Sequence, residues 1–274
     1  MKPEQRQQYI ELTESDPINA LVAIMTQLRD PNTGCPWDIK QTLQSIIPHT
    51  IEETYEVADA IYNGDPEHIK EELGDLLFQV VFYAQIAQES GWFDFAEVAQ
   101  IMCEKLIRRH PHVFTDQSHL TSEQVEAQWN AIKQAEKAGL PIPTSILANI
   151  PQGMTPLMQA HKIQKTVAQV GFDWPDIPPV VEKIKEELTE VEEAIRSGDQ
   201  VHVEEEIGDL LFAVVNLARH AGVKSETALM AANQKFTRRF MQVEALITEN
   251  NQVISDLTLD DLDELWSQVK MKHK

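Results

Sequence analysis

At 274 residues, with 42% hydrophobic residues and only 10 glycines, the chain is long enough for two domains of ordinary size, each with its own core. Its formal charge of -21 excludes nucleic acid and anionic membranes as natural partners, because either would repel the surface, and it favours cations or anions carried with cations. No apolar run approaches the roughly 20 residues of a membrane span, the start MKPEQRQQYIELTESDP lacks the apolar core of a signal peptide, and Cys35 and Cys103 form no CxxC pair, so the sequence reads as that of a soluble, cytoplasmic protein.

Val, Ile and Thr do not alternate with polar residues over any run, so helices are expected throughout. Residues up to 15 read as a polar, loose leader. An amphipathic helix is expected over 17–28, and DPNTGCPWD, 30–38, reads as a loop because of its two prolines and glycine. The helix that holds Glu52 to Ile61 stops at Asn63-Gly64, and Asp65-Pro66 opens the next with an N-cap and a first-turn proline. That helix continues to about Ala87. Further helices are expected over 95–109 and from Thr121, where Thr121 and Gln124 form a capping box. The proline-rich stretch GLPIPTSILANIPQGMTP supplies a domain boundary. The expected domains are 1–140 and 157–274, joined by a linker at 141–156. The second domain repeats the plan: helix 157–170, the loop GFDWPDIPP, helix 180–195, a turn at 197–199, helix through Glu205 to His220, helix 226–249 and a last helix from Thr258 to Lys274.

The repetition is literal. EELGDLLFQVV at 71–81 returns as EEIGDLLFAVV at 205–215, and EETYE at 52–56 returns as EELTE at 186–190, both 134 positions later. Across 51–86 and 185–220, 19 of 36 positions are identical. KLIRRH at 105–110 is echoed by KFTRRF at 235–240, and WNAIK at 129–133 by WSQVK at 266–270. With so long a period this is a duplicated domain and not a solenoid.

The acidic residues are placed symmetrically about each turn. Glu56 and Glu72 lie eight residues either side of Gly64, Glu53 and Asp75 eleven; Glu190 and Glu206, and Glu187 and Asp209, repeat those distances about Gly198. If the turn joins antiparallel helices, equal distances give equal heights of roughly 12 to 16 Å, and the i,i+3 spacing puts both carboxylates of each helix on one face. Four carboxylates then converge, and protonation or a cation must relieve their repulsion. An all-oxygen set without histidine or thiol at those heights favours Mg²⁺ or Mn²⁺ over zinc. A single ExxE is more often a solvated face; the mirrored, duplicated quartet reverses that. Gly74 and Gly208, which cost roughly 1 kcal/mol each in a helix interior, leave space for a ligand or a neighbouring helix, with packing as the alternative. Ile207, Leu210, Leu211, Val214 and Val215 are expected in the core.

Lys235, Arg238 and Arg239 share a helical face, as do Lys105, Arg108 and Arg109, and suit a metal-bound polyphosphate. Trp266 and Lys270 at i,i+4 offer a stacking surface and a phosphate contact, or else a hydrophobic latch. His68 and His202 read as cap or substrate-edge residues, and both cysteines as packing. No GxGxxG, GxxxxGK or GxSxG occurs.

EExxE followed by ExxD, with KxxRR and WxxxK, resembles the MazG family of nucleoside triphosphate pyrophosphohydrolases in its long form with two tandem domains. The resemblance implies an all-α protein of two tandem helical bundles of the all-α NTP pyrophosphatase type. It also implies homodimerisation, Mg²⁺ with Mn²⁺ as substitute, and hydrolysis of NTPs or dNTPs to monophosphate and pyrophosphate in nucleotide-pool control. It implies catalytic metal ligands Glu187, Glu190, Glu206 and Asp209, with Glu53, Glu56, Glu72 and Asp75 as the first domain's ligands. Lys183, Lys235, Arg238, Arg239, Trp266 and Lys270 form the implied nucleotide-binding set, with Glu186 and Glu205 beside it as outer or proton-accepting residues. A di-iron bundle would need ExxH, which neither hairpin offers. A non-catalytic helical dimerisation module is the other alternative.

Overall fold

A computed structural model describes residues 3–115, 120–137 and 144–272. Among them there are helices and turns and no strand. The chain divides into two compact units, Met1–Leu140 and Pro141–Lys274. None of the described helices is long and apolar enough to cross a membrane.

The first unit runs α1 (Pro3–Ser15), α2 (Pro17–Leu28), α3 (Pro36–Lys40), α4 (Leu43–Asn63), α5 (Pro66–Glu89), α6 (Phe95–Arg109), α7 (Pro111–Phe114) and α8 (Ser122–Lys137). Helix α1 corrects the expected leader. PEQRQQYIELTES has little apolar periodicity, yet it starts with proline and is rich in straight-chain helix formers, and it lies against α2. The loop at 30–38 is shortened by α3, whose Pro36 sits at a first-turn position that needs no N–H. Asp65 caps α5 by accepting from the Glu67 N–H at 3.0 Å, and the Thr121–Gln124 capping box is present at the start of α8. The core gathers Met25, Ile46, Val81, Phe82 and Ile86 from α2, α4 and α5, with Phe95 of α6 against its edge.

The second unit runs α9 (Pro156–Ala168), α10 (Ile177–Ser197), α11 (Gln200–His220), α12 (Ser225–Glu249), a short 3₁₀ turn (Ile254–Asp256) and α13 (Leu259–Lys272). The expected loop 171–179 ends early because Pro178 and Pro179 occupy the first turn of α10, where proline is tolerated. Of the expected linker, residues 141–143 lie outside the described residues; the rest forms turns with Ile150 buried. His273 and Lys274 of the expected last helix also lie outside. Val243, Ile247, Leu265 and Val269 form a core between α12 and α13.

The apolar stripe of α11 is only partly covered. Val215 is buried and Leu210 half-buried, whereas Ile207, Leu211 and Val214 are 42%, 54% and 45% exposed. The expectation that all five are core is therefore corrected. Periodicity reports that a face is apolar, and a single unit supplies too few neighbours to cover it.

Candidate metal centre

Each acidic hairpin turns on a glycine in the left-handed region, Gly64 at φ 76° and Gly198 at φ 75°, a conformation that costs roughly 1–2 kcal/mol for a residue with a Cβ. The tight reversal brings α4 back along α5 and α10 back along α11. Carboxylate oxygens of Glu53, Glu56 and Glu72 then lie within 4.8 Å of one another, and those of Glu187, Glu190 and Glu206 do the same. Asp75 and Asp209 are not among the groups that meet within that distance, though the charge of Asp75 still reaches Glu53. Both aspartates are exposed.

The crowding is visible in proton affinities. Burial pushes the Glu53 carboxyl up, and the charges of Asp75, Glu56 and Glu72 push it further. Glu190 is raised by partial burial first, then by its hydrogen bond to and the charge of Glu187. Such clusters hold protons or a cation, and among the described residues each consists of three glutamates without histidine or cysteine. That donor set fits a hard divalent ion.

The two cages differ in what surrounds them. In the second unit Lys183 donates to Glu186 at 2.7 Å and reaches Glu187 at 2.8 Å, and both carboxylates raise its proton affinity. At the matching position of the first unit stands His49, 3.8 Å from Glu52. There the buried Gln79 donates to Glu53 at 3.4 Å, where the second unit has Ala213. His68 lies 2.9 Å from Glu72 and His202 3.4 Å from Glu206, so the duplicated histidines touch the cage from the next turn of the same helix. Sequence reasoning placed them at the edge; the i,i+4 spacing to the glutamates was the available signal. Gln79 gave no such signal.

Gly74 and Gly208 have open space where a Cβ would stand, with nothing within 4 Å. Packing inside a unit therefore does not require either glycine.

Lys235, Arg238 and Arg239, with Gln242, line a cavity of about 280 Å³. Trp266 is half-buried against the α12–α13 core, with its ring 4.9 Å from Phe236, so its body is a hydrophobic latch; Lys270 is exposed. Glu205 is exposed as well. Among the described residues no hydrogen bond or ion pair ties Lys235, Arg238, Arg239, Trp266 or Lys270 to the glutamates of the cage, whereas Lys183 contacts Glu187 directly.

Fold and site define the class: an all-helical protein that carries a glutamate cage on a helical hairpin twice. The signature of the MazG nucleotide pyrophosphohydrolase domain matches residues 41–114 and again 179–243. The chain is 51% identical over 255 residues to a nucleoside triphosphate pyrophosphohydrolase of Escherichia coli (strain K12), covering 92% of this chain and 97% of that one. It is 46% identical over 250 residues to the nucleoside triphosphate pyrophosphohydrolase/pyrophosphatase MazG of Thermotoga maritima, covering 91% and 94%. A crystal structure of a MazG-related protein from Thermotoga maritima is similar at 28% identity and a TM-score of 0.37, over 42% of this chain and 98% of that one. The chain belongs to the MazG nucleotide pyrophosphohydrolase family.

Proposed function

We propose that the protein hydrolyses nucleoside triphosphates, ribo or deoxy, to the monophosphate and pyrophosphate with Mg²⁺, or Mn²⁺ in its place, in control of the cytoplasmic nucleotide pool. The observation that carries the reading is the glutamate cage, built twice in a chain of this family with a basic cavity on α12. The units 1–140 and 157–274 are read as two MazG-like domains joined through 141–156.

A divalent ion held by Glu187, Glu190 and Glu206, with Asp209 completing the set, would supply Lewis acidity and a more acidic water. A carboxylate of this quartet would accept the proton from the attacking water. Glu186 and Glu205 are the neighbouring alternatives. Lys183 orients Glu187 and carries positive charge to the rim of the cage. Lys235, Arg238, Arg239 and Lys270 would hold phosphate oxygens and stabilise the leaving pyrophosphate, with the edge of Trp266 beside the nucleoside.

A homodimer accounts for the uncovered stripe of α11 and for the open space before Gly208, since a second copy would bury Ile207, Leu211 and Val214. Sedimentation should return about twice the 31.1 kDa of one chain; a monomer at micromolar concentration would sink this part.

Pyrophosphate release across NTPs and dNTPs, compared between wild type, Glu190→Ala and Glu56→Ala, tests the activity and its site. No release from any substrate would refute the function, and full activity in both variants would refute the assignment.

The raised carboxyls also give a pH dependence. A carboxyl raised in the folded state favours the fold below its unfolded pKa, and that contribution disappears as pH rises through the folded value. Metal-free protein is thus strained at neutral pH by Glu53 and Glu190, and a divalent ion relieves the strain only where they are ionised. The rise in melting temperature on adding Mg²⁺ is expected to be larger at about pH 7.5 than at about pH 5. An equal rise at both would show that the cage is not where the ion binds.

A further inference from the structure

The basic elements of the two units stand in opposite states. Lys235, Arg238 and Arg239 have no ion-pair partner among the described residues and border a cavity. In the first unit the corresponding arginines are already taken. Glu136 of α8 accepts from Arg108 Nε at 2.8 Å through one oxygen and from Arg109 Nη2 at 2.6 Å through the other, 28 and 27 positions away in sequence. The contact is partly sheltered: the Glu136 and Arg109 side chains are 24% and 21% exposed, and that of Arg108 is 54% exposed. The WxxxK element is closed as well, with Lys133 Nζ 3.6 Å from the centre of the Trp129 ring.

Two adjacent guanidinium groups converging on one pair of anionic oxygens is the arrangement arginines adopt around phosphate. Here a carboxylate supplies the oxygens. Its proton affinity is held at about 2 by hydrogen bonds from Arg109 and then Arg108, so displacement by another anion, and not protonation, is what opens the contact near neutral pH. Superposing the two WxxxK motifs, Trp129 on Trp266 and Lys133 on Lys270, sets Glu136 opposite His273. The second unit therefore has no carboxylate at that place in its sequence.

We propose that Glu136 is an internal stand-in for phosphate: it fills the basic face of the first unit, and a polyphosphate has to displace it to bind there. The proposal rests on the reading of the KxxRR elements as phosphate-binding. On this proposal two units with the same glutamates would differ in use. The first keeps a metal cage but meets triphosphates with its arginines neutralised, while the second keeps its arginines free.

The test is calorimetric titration of full-length protein with inorganic tripolyphosphate and Mg²⁺, in an R238A/R239A background that silences the second unit's basic face. Glu136→Gln is expected to tighten binding by about two- to fivefold, the size of one partly exposed ion pair released from competition. Adding R108Q and R109Q should erase the gain. Unchanged or weaker binding in Glu136→Gln would overturn the proposal and make Glu136 a residue that merely orients the arginines. A gain that survives R108Q/R109Q would overturn it too. Glu136→Asp, which keeps the charge but withdraws it by one methylene, should tighten binding by a smaller factor and decides the matter if the glutamine variant does not fold. Since tripolyphosphate binding requires no hydrolysis, failure here is distinct from failure of the proposed activity, which the pyrophosphate-release screen reads in the wild type.

Discussion

Replacing Glu190 with alanine is expected to lower metal-dependent pyrophosphate release by roughly 10²- to 10³-fold, the range lost when a group that stabilises transition-state charge or fixes a metal is removed. Glu190 stands within 4.8 Å of Glu187 and of Glu206, so its loss opens the cage on one side. A destabilised protein would give the same kinetic result, and the electrostatics separate the two. Glu190 is a strained carboxylate in the metal-free chain, so Glu190→Ala should melt no lower than wild type without metal while losing the rise that Mg²⁺ gives to wild type. Glu192→Ala is the control: Glu192 pairs with Arg196 on the exposed side of α10 at 3.0 Å, and its removal should leave release unchanged. Glu56→Ala, in the unit whose arginines Glu136 occupies, should retain most of the activity. A Glu190→Ala enzyme with wild-type turnover would remove the second unit's cage from the mechanism.

The hairpins were legible because their determinants are local and written twice. A glycine turn, a capping aspartate and equal spacings to either side specify where Glu56 meets Glu72 and where Glu190 meets Glu206 without knowledge of anything else in the fold. The fourth members, Asp75 and Asp209, were placed by the same spacing, and three glutamates of each quartet meet within 4.8 Å. The surface of α11 shows a different limit: the apolar period identified the face that must be covered, but not what covers it, and Ile207, Leu211 and Val214 are exposed in the chain by itself. Helix α1 escaped because a solvated helix needs propensity and not periodicity. Least legible were contacts between residues far apart in sequence, such as Glu136 with Arg109 or Gln79 with Glu53, which follow from how helices pack. A hint existed in one case, since the 134-residue offset sets Lys183 opposite His49 and so announces that the two cages have unequal neighbours.

The packing of the first unit offers the second large effect, at Arg29. Its side chain is 6% exposed at the C-terminal end of α2 and donates to Glu89 of α5 through Nε at 2.8 Å and Nη2 at 2.6 Å. Nη1 donates to the carbonyl of Asp38 and, at 3.2 Å, to that of Gln41, and the guanidinium lies 5.4 Å from the centre of the Phe82 ring. One side chain thus ties α2, the loop leading into the acidic hairpin and α5 together over the core. The second unit pins its corresponding loop differently, through Asp173, which accepts from Arg219 and lies 3.0 Å from His220. Arg29→Ala removes a bidentate pair and the side-chain donor to the Gln41 carbonyl, while the Asp38 carbonyl keeps only the Gln41 N–H. The expected loss is about 2–4 kcal/mol, below the range for a fully buried pair because Glu89 keeps 38% of its side-chain surface in water. Arg29→Lys should recover little, since an ammonium cannot reproduce the fork. Arg29 also holds the Glu89 carboxyl below its ordinary range, so this contribution is present above the unfolded glutamate pKa and is lost as pH falls through the folded one. In Arg29→Ala that acid-side loss should be absent. Hydrogen exchange resolved by segment is the decisive measurement: amides of α2, α4 and α5 should lose protection while those of α10 to α13 keep theirs. Undiminished protection in α2 would mean that the apolar contacts of Met25, Ile46 and Phe82 hold the loop without the arginine.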